Sequence, residues 1–181
     1  LKIGTGTALG TTPRLSISTS TVIVNELGVD VDTIIRSNNN DNMLFVDGGN
    51  DKVAIGTATA TATLTVAGSV KPTTYQETYA AKSAASTVTC DLATAQHFSV
   101  TVSANTTFAF TNPPSSGTSY SFTLIVTQHS TAVTLTWPNT VDWAGGAAPA
   151  VAGNNEVQAY GFVTRDGGTT YYGFLGGTAI A

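Results

Sequence analysis

Apolar residues alternate with serine and threonine along much of the second half of this 181-residue chain. Phe98, Val100 and Val102, for example, are separated by Ser99 and Thr101. A period of two places successive side chains on opposite faces of a strand, whereas a helix needs apolar residues every three or four positions. The chain is therefore expected to be all-β. The same alternation predicts strands at Val88–Leu92, Tyr120–Val126 and Val133–Trp137.

Turn-forming sequences separate these strands from others. Asn112–Gly117 and Asp166–Gly168 are rich in Asn, Pro, Ser and Gly, which tight turns require. About seven strands in roughly 95 residues are typical of a β-sandwich or a jelly roll. The Gly- and Ala-rich segment Pro138–Asn155 is expected to be a long loop. The remaining strands are expected at Thr106–Phe110, Glu156–Thr164 and Thr169–Leu175.

The first 70 residues contain an internal repeat. Leu1–Thr5 (Leu-Lys-Ile-Gly-Thr) matches Val53–Thr57 (Val-Ala-Ile-Gly-Thr), and Leu15–Ile17 matches Leu64–Val66. Strands this short bury little surface by themselves, so they need stacked repeats or other chains. A thin, intertwined homotrimeric β shaft would supply both the core and the strand partners. Further strands are expected at Thr21–Val24, Val29–Ile35, Met43–Val46 and Lys52–Ile55.

Three regions follow from these patterns. We expect a β shaft over residues 1–70, a linker over residues 71–85 and a β-sandwich over residues 86–181. The linker sequence Tyr75–Lys82 is compatible with one turn of helix. Because the first repeat lacks an upstream counterpart of the turn Asp47–Asp51, we expect the polypeptide to continue before Leu1, with more of the same shaft.

The charge pattern excludes some partners. Seven basic residues oppose eleven acidic ones, for a net charge of −4, and the basic residues are scattered singly. Nucleic acid and anionic membranes both require clustered positive charge, so neither is an expected partner. No apolar run approaches the ~18 residues that membrane insertion needs. Between Asp91 and Asp142 the chain has no Asp, Glu, Lys or Arg, which suggests burial against identical neighbours.

Motifs for catalysis or cofactor binding are not recognisable. Gly4–Gly10 lacks the spacing of a dinucleotide turn and the lysine of a phosphate loop. Asp142, Glu156 and Asp166 are the main carboxylates available for glycoside cleavage, but the sequence pairs none of them. His97 and His129 are expected in strands or turns. We therefore expect no enzyme activity, no catalytic residue and no cofactor.

Two further groups have ordinary structural interpretations. Asp41, Asp47 and Asp51 lie among asparagines, and oxygen-rich clusters suit Ca²⁺, but the EF-hand order and its closing Glu are missing. Tight turns use the same residues, so turns are expected rather than a metal site. Cys90 alternates with Val88, and we expect a buried strand thiol.

Exposed aromatic residues are the remaining candidates for binding. Trp143 and its neighbour Asp142 lie in the long Pro138–Asn155 segment. Tyr171 and Tyr172 are adjacent, so one of them must point away from the face that the other occupies. Aromatic rings can stack on a sugar or anchor an interface. These four residues are the candidate receptor or glycan contacts, whereas Trp137 is expected in the core.

Two parts of the sequence resemble tail fibres of tailed bacteriophages. Asp47–Thr57 followed by Leu64–Gly68 is similar to their repeated shaft segment, and Thr136–Pro138, Val141–Gly146 and Phe162–Phe174 are similar to the terminal domain of many fibre proteins. The resemblance covers most of residues 47–181. It implies a homotrimeric virion protein, on the tail or the capsid surface, joined to other virion proteins through its N-terminal part. Such a fibre binds a host glycan or outer-membrane receptor or decorates the particle.

Two alternatives stay open. One is a monomeric carbohydrate-binding or adhesin module of a secreted bacterial protein, which a monomeric mass and binding of soluble glycan would favour. The other is a depolymerising tail-spike enzyme, which requires a clustered pair of carboxylates. The scarcity of acidic residues over 92–141 argues against the enzyme.

Overall fold

The computed structural model describes residues 15–17, 20, 22–24, 30–131 and 133–180 and divides the chain into two units, Leu1–Thr73 and Thr74–Ala181. The described residues form strands with almost no helix, which confirms the all-β prediction. The first repeat copy, Leu1–Thr5, lies outside them. The described strands are β1 Leu15–Ile17, β2 Val22–Val24, β3 Thr33–Ile35, β4 Leu44–Asp47, β5 Lys52–Ile55, β6 Leu64–Val66, β7 Tyr79–Lys82, β8 Thr87–Asp91, β9 His97–Thr101, β10 Thr106–Thr111, β11 Tyr120–Thr127, β12 Leu135–Thr136, β13 Val141–Trp143, β14 Val157–Thr164 and β15 Tyr171–Ile180.

The described residues of the first unit form two small sheets. Strands β1 and β2 pair antiparallel, and a four-stranded sheet has the order β3-β4-β5-β6. Strands β4 and β5 form a hairpin, and β6 runs parallel to β5 with Val53 opposite Leu64. At the hairpin turn the Asp47 carboxylate accepts hydrogen bonds from the backbone N–H and the side-chain amide of Asn50, both at 3.0 Å. The prediction that Asp47 serves a turn is thereby confirmed.

The second unit is built of strands that alternate between two sheets. The larger sheet has the order β13-β15-β14-β11-β9-β7 and the smaller has the order β12-β10-β8. From β7 to β13, each strand lies in the opposite sheet from the one before it. Neighbours within a sheet are therefore two strands apart in sequence and run parallel, as β9 does with β11 and β8 with β10. Antiparallel pairs join β11 to β14 and β14 to β15.

The two sheets of the second unit share one hydrophobic core. Phe110 of the smaller sheet lies 4.9 Å, between ring centroids, from both Phe122 and Phe162 of the larger sheet. Phe98, Val100, Leu124 and Val126 are each no more than 2% exposed, as their alternation predicted. Cys90 is fully buried in β8, which confirms its prediction, and burial raises the pKa of its thiol to about 12.

Two segments differ from the sequence-based expectation. Val141–Trp143 form strand β13 at an edge of the larger sheet, where a loop was expected. Tyr79–Lys82 form strand β7 at the opposite edge, where a linker with a helical turn was expected. Both are short edge strands, and hydrogen bonding to the neighbouring strand overrides weak local preference.

A buried glutamine fixes the connection between β13 and β14. Gln158 is 2% exposed, and its side-chain amide donates to the backbone carbonyl of Ala150 at 2.8 Å. Its side-chain oxygen accepts from the backbone N–H of Ala152 and from the hydroxyl of Tyr160, both at 2.7 Å. The Gly- and Ala-rich segment is thus held through its backbone rather than through its own side chains.

Candidate functional site

The four predicted contact residues come from the neighbouring strands β13 and β15. In their parallel register Asp142 lies beside Tyr172, and Trp143 lies beside Gly173. Because side chains alternate along a strand, Asp142 and Tyr172 share one face of the sheet while Trp143 and Tyr171 share the other. The structure therefore divides the predicted group into two pairs on opposite faces, which confirms that Tyr171 and Tyr172 point apart.

Tyr171 is a core residue rather than a surface contact. Its side chain is 2% exposed, and its ring centroid lies 5.2 Å from that of Phe110 and 6.1 Å from that of Phe122. Burial, and to a smaller degree the charge of Asp166, raises the pKa of its hydroxyl. An external ligand cannot reach this ring in the folded structure, so the assignment of Tyr171 to a contact surface is corrected.

Trp143 also faces inward, although it is only partly buried. Its ring centroid lies 5.3 Å from Trp137, 6.0 Å from Tyr160 and 5.6 Å from Phe162. Trp137 itself packs against the core, as predicted. The main contacts of Trp143 are therefore aromatic core residues, and its position in β13 follows from pairing with β15.

Asp142 and Tyr172 are the two predicted residues that the structure places at the surface. Tyr172 is 38% exposed, and the guanidinium carbon of Arg165 lies 5.9 Å from its ring centroid. This distance is within the range of a cation–π contact. Tyr172 belongs to the outward face of the six-stranded sheet, and that face also carries a depression.

The depression lies on the outward face and is called the Gly161 groove; one of its lining residues, Val163, is the register partner of Tyr172. It has a volume of about 180 Å³. A glycine in the middle of β14 forms part of its floor, and no atom lies within 4 Å of the position that a Cβ at residue 161 would take. The residues that line the groove include Glu77, His97, Ser121, Thr123, Gly161, Val163 and Phe174.

Strand register explains how distant residues meet at this groove. Thr123 of β11 lies between His97 of β9 and Gly161 of β14, and Gly161 in turn lies beside Phe174 of β15. Registered neighbours point to the same face, so these four side-chain positions form one row across the sheet. Tyr79 extends the row on β7, where its hydroxyl lies 2.6 Å from that of Ser99.

A chain of hydrogen bonds borders one side of the groove. Nδ1 of His97 lies 2.6 Å from the hydroxyl of Thr123, and Nε2 lies 2.5 Å from a carboxylate oxygen of Glu77. A carboxylate only accepts, so Nε2 of His97 donates to Glu77. Nδ1 and the Thr123 hydroxyl share the second hydrogen bond. These hydrogen bonds fix the His97 imidazole and hold the Glu77 carboxylate beside the Gly161 groove.

The opposite border of the groove is apolar. Phe174 is 53% exposed, and Gly161 leaves the space beside it open. The sequence analysis missed this site because its residues come from separate strands. One signal was present: a glycine within a strand often marks a site where another molecule can approach the backbone.

Two of the three predicted carboxylates, Glu156 and Asp166, have structural partners. Glu156 accepts a hydrogen bond from the backbone N–H of Gly153 at 2.8 Å. Asp166 accepts one from the backbone N–H of Thr170 at 3.0 Å and another from the Thr164 hydroxyl at 3.1 Å. Within the described ranges, no three His, Cys, Asp or Glu side chains are grouped as metal ligands would be. No described helix has the length and apolar character to cross a bilayer.

Comparisons with protein-family models, curated proteins and solved structures find no significant match to this chain.

Proposed function

We propose that this chain is part of a homotrimeric structural fibre of a tailed bacteriophage virion. Its first unit belongs to a repeat-containing β shaft, and its second unit is a β-sandwich tip domain. The fibre mediates attachment to the host surface or decorates the particle, and its N-terminal part joins other virion proteins. The parallel strand pairs of the second unit favour a β-sandwich over an antiparallel jelly roll.

The observation that carries the proposal is the open face of the four-stranded sheet. Register places Val46, Val53 and Leu64 in one row on this face. Ile35 and Leu44 lie in the next row of the same face. Leu64 is 59% exposed and Ile35 is 54% exposed. The open face consists of Thr33, Ile35, Leu44, Val46, Val53, Ile55, Leu64 and Val66, none of which is charged.

The other face of the same sheet differs. Phe45 and Ala54 lie side by side there, and they are 7% and 0% exposed. Asp47 and Lys52 continue that face at the hairpin end. The residues at the centre of this face are therefore buried within the chain, whereas residues of the more apolar face are exposed. A soluble monomer seldom leaves its most apolar surface uncovered.

Copies of the same chain are the occupants that fit this face. A surface without charge requires an uncharged partner, and an identical face meets that requirement in every copy. The open face measures roughly 250 Å² in plan from strand spacing and rise, well below the ~800 Å² per partner of a standard interface. The repeat copies along the shaft, together with the charge-free stretch between Asp91 and Asp142, would supply the remaining contact area between copies.

The solution mass tests the assembly. Light scattering after size exclusion is expected to give near three times the chain mass of 18.5 kDa. Leu64→Lys introduces a charge on the open face and is expected to dissociate the assembly, whereas the control Thr59→Lys, at an exposed position outside the strands, is expected to retain it. A monomeric wild-type chain, or a Leu64→Lys variant of unchanged mass, would overturn the proposal.

Attachment is tested separately from assembly. Fluorescently labelled fragment is expected to adsorb to cells of the phage host above the level of a denatured control, and three tips per fibre would strengthen weak contacts through avidity. Equal adsorption of native and denatured protein would contradict the attachment role, while the structural role would not be affected.

The second candidate is the monomeric carbohydrate-binding or adhesin module of a secreted bacterial protein. The Gly161 groove favours it, since an aromatic ring beside hydrogen-bonding groups suits a sugar. A monomeric mass together with sugar binding would select this alternative. We propose no enzyme activity, because Glu156 and Asp166 both serve backbone turns.

A further inference from the structure

We propose that the Gly161 groove binds one ring of a neutral pyranose sugar. This inference rests on the proposed attachment function for its biological role, although the groove belongs entirely to the second unit. It assigns a ligand class and a location to a contact that the proposed function leaves general.

The size of the groove sets the first limit on the ligand. Its volume of about 180 Å³ is below the ~300–1,000 Å³ of pockets for drug-sized molecules. A single six-membered ring is therefore a better match than a larger cofactor. The missing side chain at Gly161 creates the necessary depth, since no atom lies within 4 Å of its Cβ position.

The two borders of the groove match the two kinds of surface on a pyranose. A pyranose ring has C–H groups on its faces and hydroxyl groups around its edge. Phe174, which is 53% exposed, offers an aromatic surface for the C–H groups. Glu77 and the hydroxyls of Ser121 and Thr123 offer acceptors and donors for the ring hydroxyls.

Existing hydrogen bonds prepare the polar border for binding. His97 bonds both Glu77 and Thr123, so these groups are held in place before a ligand arrives. The bond to His97 uses one oxygen of Glu77, and the carboxylate retains further acceptor capacity. Groups fixed in advance lose less conformational entropy when the ligand binds.

The charge of the residues that line the groove favours a neutral sugar over an acidic one. Glu77 supplies a carboxylate, and the residues that line the groove include no lysine or arginine. The chain as a whole has a net charge of −4. An acidic sugar would therefore be repelled by the Glu77 carboxylate without a lysine or arginine to offset the repulsion, whereas a neutral sugar would not.

The experiment uses ligand-observed NMR with the full chain and four neutral probes, namely glucose, galactose, mannose and N-acetylglucosamine, plus glucuronate. We expect binding of at least one neutral probe and at least tenfold weaker binding of glucuronate. Gly161→Val fills the floor, and Phe174→Ala removes the aromatic border. Each is expected to weaken binding at least tenfold. Leu175→Ala is the matched control, since Leu175 is 42% exposed and points away from the groove.

Each outcome decides between specific conclusions. Thermal unfolding is recorded for every variant, and Gly161→Val is expected to fold because its side chain enters open space. The inference is overturned if no neutral probe binds, or if folded Gly161→Val and Phe174→Ala both bind as the wild type does. A trimeric mass without sugar binding would support the fibre proposal and reject the sugar site in the groove. A monomeric chain that binds sugar through the groove would support the sugar site and reject the fibre proposal.

Discussion

The ring of Trp143 occupies the space that a side chain at position 173 would need. A Cβ added to Gly173 would lie 2.7 Å from Cζ3 of Trp143 and 2.8 Å from its Cε3. The two residues are register partners in β13 and β15. Glycine at position 173 is therefore what allows the indole to lie over β15 and reach the core.

Gly173→Ala is expected to lower the free energy of unfolding by about 2 kcal/mol, because the indole must move away from its aromatic neighbours. Chemical denaturation with tryptophan fluorescence measures the change. Gly161→Ala is the matched control, since its Cβ meets no atom within 4 Å, and we expect a change below about 1 kcal/mol. Equal losses in the two variants would show that the Trp143 contact is not the cause.

The Cys90 thiol is expected to resist modification in the folded protein. Burial raises its pKa to about 12, so the reactive thiolate does not form at pH 8. A disulfide reagent such as DTNB should react after addition of guanidinium chloride and not before. Rapid reaction of the native chain at pH 8 would contradict the buried position.

The raised pKa of Cys90 also predicts how the stability of the folded protein changes with pH. The unfolded chain releases this proton near its ordinary value of 9.0, while the folded chain retains it to about 12. The stability contribution is therefore complete below pH 9 and decreases as the pH rises towards 12. Cys90→Ala is expected to show a smaller loss of stability over this interval, measured by denaturant titration at each pH. An identical loss in both proteins would exclude Cys90 as the source.

Asp166 is expected to stabilise the turn before β15 in its ionised form. The hydrogen bond from the backbone N–H of Thr170, followed by those of neighbouring hydroxyls, lowers the pKa of its carboxyl below 3.8. Its contribution is present above pH 3.8 and is lost as the pH falls through the lowered value. Asp166→Asn should therefore melt at a lower temperature than the wild type at pH 7, with the difference disappearing in acid.

The control for that turn is Asp142→Asn, an exposed position in β13. We expect its melting temperature to match the wild type at pH 7. A difference for Asp166→Asn that persisted in acid would assign the effect to side-chain shape rather than to charge.

Gln158→Leu is expected to release the backbone of residues 147–155. The substitution leaves the carbonyl of Ala150 and the N–H of Ala152 without their partner, which costs about 2 kcal/mol. Hydrogen exchange read by mass spectrometry should accelerate in this segment more than in β11. Unchanged exchange would indicate that other contacts hold the segment.

Alternation in the sequence was sufficient to predict which residues enter the core, because burial of one strand face depends on local pattern. Phe98 and Leu124 illustrate this, since both positions follow from a period of two. Strand partners were not predictable from the same pattern, because it contains no information about which strand lies alongside. The parallel pairing of Phe98 with Leu124 depends on the intervening strand lying in the other sheet.

The edge strands and the site were missed for related reasons. Tyr79–Lys82 contains two alanines and a lysine, which favour a helix locally, and only pairing with β9 makes it a strand. Glu77, Thr123 and Phe174 are separated by long stretches of sequence and come together through register alone. The prediction for Tyr171 is wrong because the sequence does not show which of two adjacent tyrosines in a strand points inward.

Strands β7 to β13 lie alternately in two sheets, so none of the strands β7 to β12 can pair with the strand that directly follows it. Within the described part of the second unit, β14 and β15 at the C-terminal end are the consecutive strands that form a hairpin. Contacts between distant segments form slowly, since loop closure must precede them. Strand β13 has β15 as its sheet neighbour, so Val141–Trp143 cannot join the larger sheet until β15 has been synthesised. The last strand of the chain is thus required to complete that edge of the sheet.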